Sequence, residues 1–205
     1  RIDTLTLVYL RKPLHQDAIR SPALHDAQRV EKDLILTVFG GQGWRDHCLP
    51  ANWNDTASPR DCAPWARDSS VPYYWTGSGL TADSELRDVE QVTTWMAQTG
   101  VGTAFFSANF GTVRPASEIM RSTFTFLATD EVEYKTWLVD HVWPKILQEW
   151  ETSSSSMRLL WLQGDINDAE VASALGLDMV LCGIALVLVF AALIAHMRSP
   201  VLAIV

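Results

Sequence analysis

Met179 to Ala195 reads MVLCGIALVLVFAALIA, an apolar run without a charged residue. As a helix rising 1.5 Å per residue it is roughly 26 Å long. The hydrocarbon core of a bilayer is roughly 30 Å thick, and Leu175 and Leu177 extend the run toward that thickness. His196 and Arg198 follow, and a second apolar stretch, VLAIV, comes after Pro200. This pattern predicts a transmembrane helix over 168–197 and the start of a next one over 199–205. A buried core helix in a soluble protein would not be followed at once by a second apolar run. A single carboxyl-terminal anchor would be followed by a polar tail. A chain that starts at Arg1 and ends inside an apolar run is expected to be an internal fragment of a longer membrane protein.

Residues 1–165 are different in kind. They are polar and loop-rich, and long enough for one domain with a core of its own. The chain has 16 basic and 24 acidic residues, a net charge of −8. Nucleic-acid phosphates require a basic face, so a nucleic-acid partner is excluded. The acidic residues are scattered, as on a solvated surface. Cys48 and Cys62 lie in a segment rich in Trp, Pro, Asn and Asp, whereas Cys182 lies in the apolar run. The spacing predicts a Cys48–Cys62 disulfide closing a loop of about 15 residues, with two free thiols as the alternative. Asn54-Asp55-Thr56, in the same loop, is a glycosylation sequon. Disulfide and sequon both belong to an oxidising compartment. Arg198 at the far end of the apolar run marks the cytoplasmic side. The expected topology is an integral membrane protein with residues 1–165 extracellular or lumenal.

Along the domain, Thr4–Leu10 alternates as a strand. Ser21-Pro22 opens a helix over 22–38, whose stripe is Leu24, Ala27, Val30, Leu34 and Val38, and Gly40-Gly41 stops it. Residues 41–82 show little periodicity and form an insertion carrying Trp44, Trp53, Trp65, Tyr73, Tyr74 and Trp75. A helix is expected over 84–98, a strand over 101–106 and a second confident strand over 122–127. Asp130 with Glu133 suggests a capping box for a helix to about Glu151, with stripe Val132, Leu138, Val142, Ile146 and Trp150. Pro144 should kink or interrupt it. Met157–Leu162 reads as a strand, and Asn167 with Glu170 as the cap of the last helix. Without the insertion the order is β-α-β-β-α-β. This predicts an α+β fold, a ferredoxin-like split βαβ domain with both long helices on one face, bearing a disulfide in its insertion and followed by a transmembrane helix.

The stretch LGLDMVLCGIALVLVFAALIAHMRSPVLAIV resembles the second membrane helix and start of the third in the resistance–nodulation–division superfamily, in its Dispatched, Patched and sterol-sensing-domain branch. The resemblance implies that the helix enters the bilayer after Asp178 and leaves through a polar turn ending in Ser199. TLTLVYLRKPLHQDAIRSPALHDAQRVEKDL and RSTFTFLATDEVEYKTWLVDHVWPKIL are similar to strand–helix units of the same ectodomain. The resemblance implies a polytopic, Dispatched-like transporter or permease. Its cargo would be hydrophobic: a sterol, a membrane lipid or a lipid-modified protein. It implies contact with a second ectodomain and with further membrane helices of the same chain. A Patched-like receptor or lipid sensor without net transport has the same architecture. The family's ion-coupling carboxylates lie in a helix outside this sequence.

No enzyme is expected, and no cofactor. Gly40-Gly41-Gln42-Gly43 lacks the lysine and the strand–turn–helix context of a phosphate loop. His47 beside Cys48 lacks the further ligands of a zinc site, so no metal is expected. His141 reads as packed or exposed rather than catalytic, and no serine stands in a nucleophile elbow. Asp178 is read as an interfacial residue at a helix start, with a polar contact beside a substrate path as the alternative. The insertion's aromatic residues are expected to pack on themselves or on a neighbouring lobe, with contact to a lipidic cargo as the alternative.

Overall fold

The computed structural model describes residues 1–12, 17–19, 21–52, 60–76, 88–113, 115–154 and 156–197. The chain forms two units, Arg1–Gln163 and Gly164–Val205.

The first unit is built on four strands: β1 Ile2–Arg11, β2 Arg67–Ser69, β3 Ile119–Leu127 and β4 Met157–Leu162. Their order is β2-β3-β1-β4, and every neighbouring pair is antiparallel. Thr6 of β1 stands between Thr123 and Leu162, which fixes the register of the three longer strands. Side chains alternate along a strand, so one face carries Leu5, Leu7, Tyr9, Met120, Phe124, Phe126, Met157 and Leu159, all buried.

Helix α1, Ser21–Leu36, buries Ala23, Leu24, Ala27, Val30 and Leu34. Each large side chain withdrawn from water here contributes roughly 1.5–3 kcal/mol. The predicted stripe ends a turn early: Val38 lies past the helix and is exposed. Phe39 and Gln42 close a tight turn in which Gly40 and Gly41 take φ values of 59° and 87°. Side chains with a Cβ rarely adopt that backbone.

Asp130 caps the next long helical segment, accepting from Val132 N at 2.9 Å and Glu133 N at 3.0 Å. Glu133's own carboxylate is engaged by the Gln42 amide. The segment runs as α5 Glu131–Thr136, a π-helical stretch Trp137–Gln148, and α6 Glu149–Ser153. Pro144 lies inside the π-helical stretch, and the helix neither ends nor breaks there. A proline lacks the N–H and clashes with the carbonyl four residues back. The wider π turn shifts the register that creates this conflict. Trp137, Leu138, Val142, Ile146 and Leu147 are buried, but Val132 is 77% exposed and does not belong to the stripe. The π-helical stretch lies against α1, and Trp150 Nε1 donates to Asp33 at 2.9 Å.

Residues 101–106 do not form the expected strand. After α4, Val89–Thr99, the chain turns through Gly100 at φ 75° into a 3-10 turn, Val101–Ala104. Phe110's ring fills the space that a Cβ at Gly102 would need. Phe106 alone bridges to Met120. The fourth strand is β2, inside the insertion that reads as aperiodic. Helices α2, Trp44–His47, and α3, Val71–Thr76, lie in the same insertion.

The second unit contains α7, Gly164–Met197. It begins before Asn167, so Asn167 and Glu170 lie inside the helix and do not cap it. From Gly164 to His196 it is long and apolar enough to cross a membrane, and none of its most apolar stretch is buried.

Candidate functional site

Cys48 and Cys62 form the expected disulfide, with Cα atoms 5.6 Å apart. The bond closes a small antiparallel ladder. Ala63 N donates to Leu49 O at 2.7 Å, and Ala51 N to Asp61 O at 2.8 Å. Leu49 N donates to Thr125 O at 3.0 Å, and Cys48 bridges to Phe126, so the ladder is attached to β3. Cys48 is fully buried. Asn54 lies outside the described residues.

A buried carboxylate ties the other end of the insertion to the sheet. Glu31 of α1 has no solvent exposure. Its oxygens accept from Tyr9 Oη at 3.2 Å, Ser69 Oγ at 2.8 Å, Arg67 Nε at 3.0 Å, Arg67 Nη2, and Ser122 Oγ. Ser122 Oγ also lies 2.9 Å from Ser69 Oγ. Donors from β1, β2 and β3 thus converge on one helix residue. A buried charge is tolerated when it is paired and its lone pairs are met, and Glu31 satisfies both conditions. Burial, and then the Glu31 carboxylate, push the Tyr9 phenol well above its ordinary value. Sequence reasoning missed Glu31 and Arg67. The signal was a charged residue on the apolar stripe, one position after Val30 and four after Ala27.

Among the described aromatic residues of the insertion, Trp44 and Tyr74 are buried. Trp44 meets Phe124 and Phe126 edge-on, with centroids 5.5 and 5.2 Å away. His47 lies 4.7 Å from Trp137 and 5.6 Å from Tyr134. Burial lowers the His47 pKa to about 4, and nearby Arg60 acts in the same direction against Asp46. His47 is therefore neutral at physiological pH, with Gln42 Oε1 3.3 Å from its Nε2. Arg60 is buried, and it donates to Leu127 O and Thr129 Oγ1 at 3.4 Å and to Cys48 O at 3.5 Å. Its Nε has no hydrogen-bond partner among the described residues. Trp65 of the insertion is 63% exposed.

His141 stacks on Phe39 at 5.1 Å, with Lys145 Nζ 3.3 Å from its Nδ1. Among the described residues no group of three or more His, Cys, Asp or Glu is placed to hold a metal ion. Asp178 is exposed on α7, at the amino-terminal edge of the uncharged run. Ser199 and the stretch 199–205 lie outside the described residues. Of the predicted site residues that the structure describes, it joins Cys48 to Cys62 and leaves Asp178 exposed on α7.

Two grooves flank α1. One, of about 430 Å³, is lined by Asp33, Phe39, Lys145, Glu149 and Trp150, among others. The other, of about 350 Å³, lies between α1 and α3. No protein-family model matches the chain, and no curated protein matches it.

Proposed function

We propose that this chain is part of a polytopic transporter or permease of the resistance–nodulation–division type, Dispatched-like, that handles a hydrophobic cargo. The observation that carries the proposal is an α+β domain leading directly into an apolar helix. The strand order β2-β3-β1-β4 with all neighbours antiparallel supports the ferredoxin-like reading. In a split βαβ pair the two parallel strands of each unit stand apart with another strand between them. Here β1 and β2 flank β3, and β3 and β4 flank β1. The insertion supplies β2 rather than interrupting the motif.

The disulfide supports an extracellular or lumenal position for the first unit. In that position the domain faces the compartment into which a cargo is released, and α7 joins it to the bilayer. The work of such a protein is conformational, and the domain supplies a rigid body for the membrane helices to move.

The test uses the full-length protein in cells loaded with a labelled sterol or expressing a lipid-modified reporter. Release that needs the protein and stops when the ion gradients are collapsed is the expected result. Cargo binding without release under any gradient would give the chain to the sensor class.

A further inference from the structure

We propose that the groove between α1 and α3 binds a long-chain carboxylate, a single-chain amphiphile with one anionic head. The proposal does not rest on the transport reading. Gln28, Lys32, Ile35 and Leu36 line one side, and Arg67, Val71 and Pro72 the other. In the apolar part of the lining, Leu36 is 63% exposed at the end of its helix. Lys32 and Arg67 are the basic residues of the lining. Arg67 is held by Glu31 through Nε and Nη2, and so is fixed in place and electrically balanced. Lys32 has no hydrogen-bond or ion-pair partner among the described residues.

Among the described residues the groove therefore carries one uncompensated positive charge beside an apolar trough, on a chain of net charge −8. A ligand with one negative head and an alkyl tail is its chemical complement. The head pairs with Lys32, and the positioned edge of Arg67 can add hydrogen bonds of the charge-assisted kind. The tail covers Ile35, Leu36, Val71 and Pro72. A volume of about 350 Å³ is at the small end of ligand sites, which run from roughly 300 to 1,000 Å³. It suits part of one unbranched chain better than a fused-ring body or a two-tailed lipid.

The test uses the whole chain in phosphatidylcholine nanodiscs, with palmitic acid bearing a diazirine as probe. Photolabelled peptides should map to Gln28–Leu36 and Arg67–Pro72. Excess palmitate should displace the probe and palmitic acid methyl ester should not. Lys32→Glu should lower labelling about tenfold, while Lys32→Arg retains it. Leu36→Asp should lower it as well. Both positions are exposed, and thermal melting checks that each variant folds. Labelling confined to α7 would overturn the proposal, as would equal displacement by the ester or indifference to Lys32→Glu. A dimer cross-linked through Lys32 in the absence of probe would assign the groove to a second copy of the chain, and would also overturn it.

Discussion

A carboxylate removed from water is costly unless each lone pair finds a donor, and Glu31 finds donors on three strands. Glu31→Gln keeps the shape but loses the charge that Arg67 answers. Breaking a buried pair from one side costs roughly 3–5 kcal/mol. Arg67 is 30% exposed, and water can take up part of its loss. The expected cost is therefore about 2–3 kcal/mol, read from the urea midpoint, and a neutral Glu31→Gln would refute the latch. Arg67→Met should cost at least as much, because it strands the buried partner. His47 gives a second prediction, in pH. Its pKa is lowered to about 4 in the fold, against about 6.5 in an unfolded chain. Its contribution is complete above pH 6.5, because both states are then neutral. As pH falls, the unfolded chain takes up the proton first, and stability is lost until the folded pKa is reached. Wild-type protein should lose stability between pH 7 and 5, before most carboxylates titrate, and His47→Gln should be nearly flat there. Equal slopes would show that His47 is not held neutral.

At the scale of elements, β1, β3, β4 and α1 were legible because each repeats its apolar residues at the period of its own geometry over two or more turns or pleats. β2 was not. Arg67-Asp68-Ser69 is too short to show a period, and nothing in those residue types favours a strand. It is a strand because Glu31 and β3 hold it, and both are distant in sequence. Residues 101–106 show the reverse. Val101, Phe105 and Phe106 look strand-like, but Gly100 and the space Phe110 takes at Gly102 turn the chain first. Of the candidate site, the disulfide was legible from spacing and composition, while the Glu31 latch needed a fold to bring Tyr9, Ser69 and Ser122 together. The disulfide carries its own prediction. It closes a loop with a sequence separation of 14, worth about 3 kcal/mol in the chain-entropy model. Cys48→Ala with Cys62→Ala should lose about that much in thermal or urea unfolding, and reductant should then have no further effect. The longer strands should keep their register, because Leu5, Leu7, Phe124 and Leu159 still pack. A collapse of the whole sheet in the double variant would mean that the ladder on β3 nucleates the fold.

At the scale of the whole molecule, α7 exposes almost every large apolar side chain it has, from Leu175 and Leu177 to Leu193 and Ile194. In water that surface would carry a hydrophobic cost of roughly 25 cal/mol for each Å² of apolar area. A bilayer removes that cost, and a helix meets its backbone hydrogen bonds within itself. The helix has 34 residues, roughly 51 Å at 1.5 Å per residue. That exceeds the roughly 30 Å hydrocarbon core, so an α7 that crosses a bilayer leaves part of itself outside. Asp165, Asp168, Glu170 and Asp178 all fall before Met179, which assigns the protruding part to the amino-terminal turns and the embedded part to the uncharged run. This division is measurable by thiol labelling in a Cys182→Ser background, where the disulfide leaves no other free thiol. Asp168→Cys should react with a membrane-impermeant maleimide added to the extracytoplasmic side of sealed membranes. Leu188→Cys, about 14 Å beyond Met179 at the same rise, should react only after detergent opens the bilayer. If Leu188→Cys labels as fast as Asp168→Cys in sealed membranes, α7 is wet along its length and does not span. If Asp168→Cys labels only from the cytoplasmic side, the first unit stands on the opposite side of the membrane and an oxidising compartment no longer accounts for its disulfide.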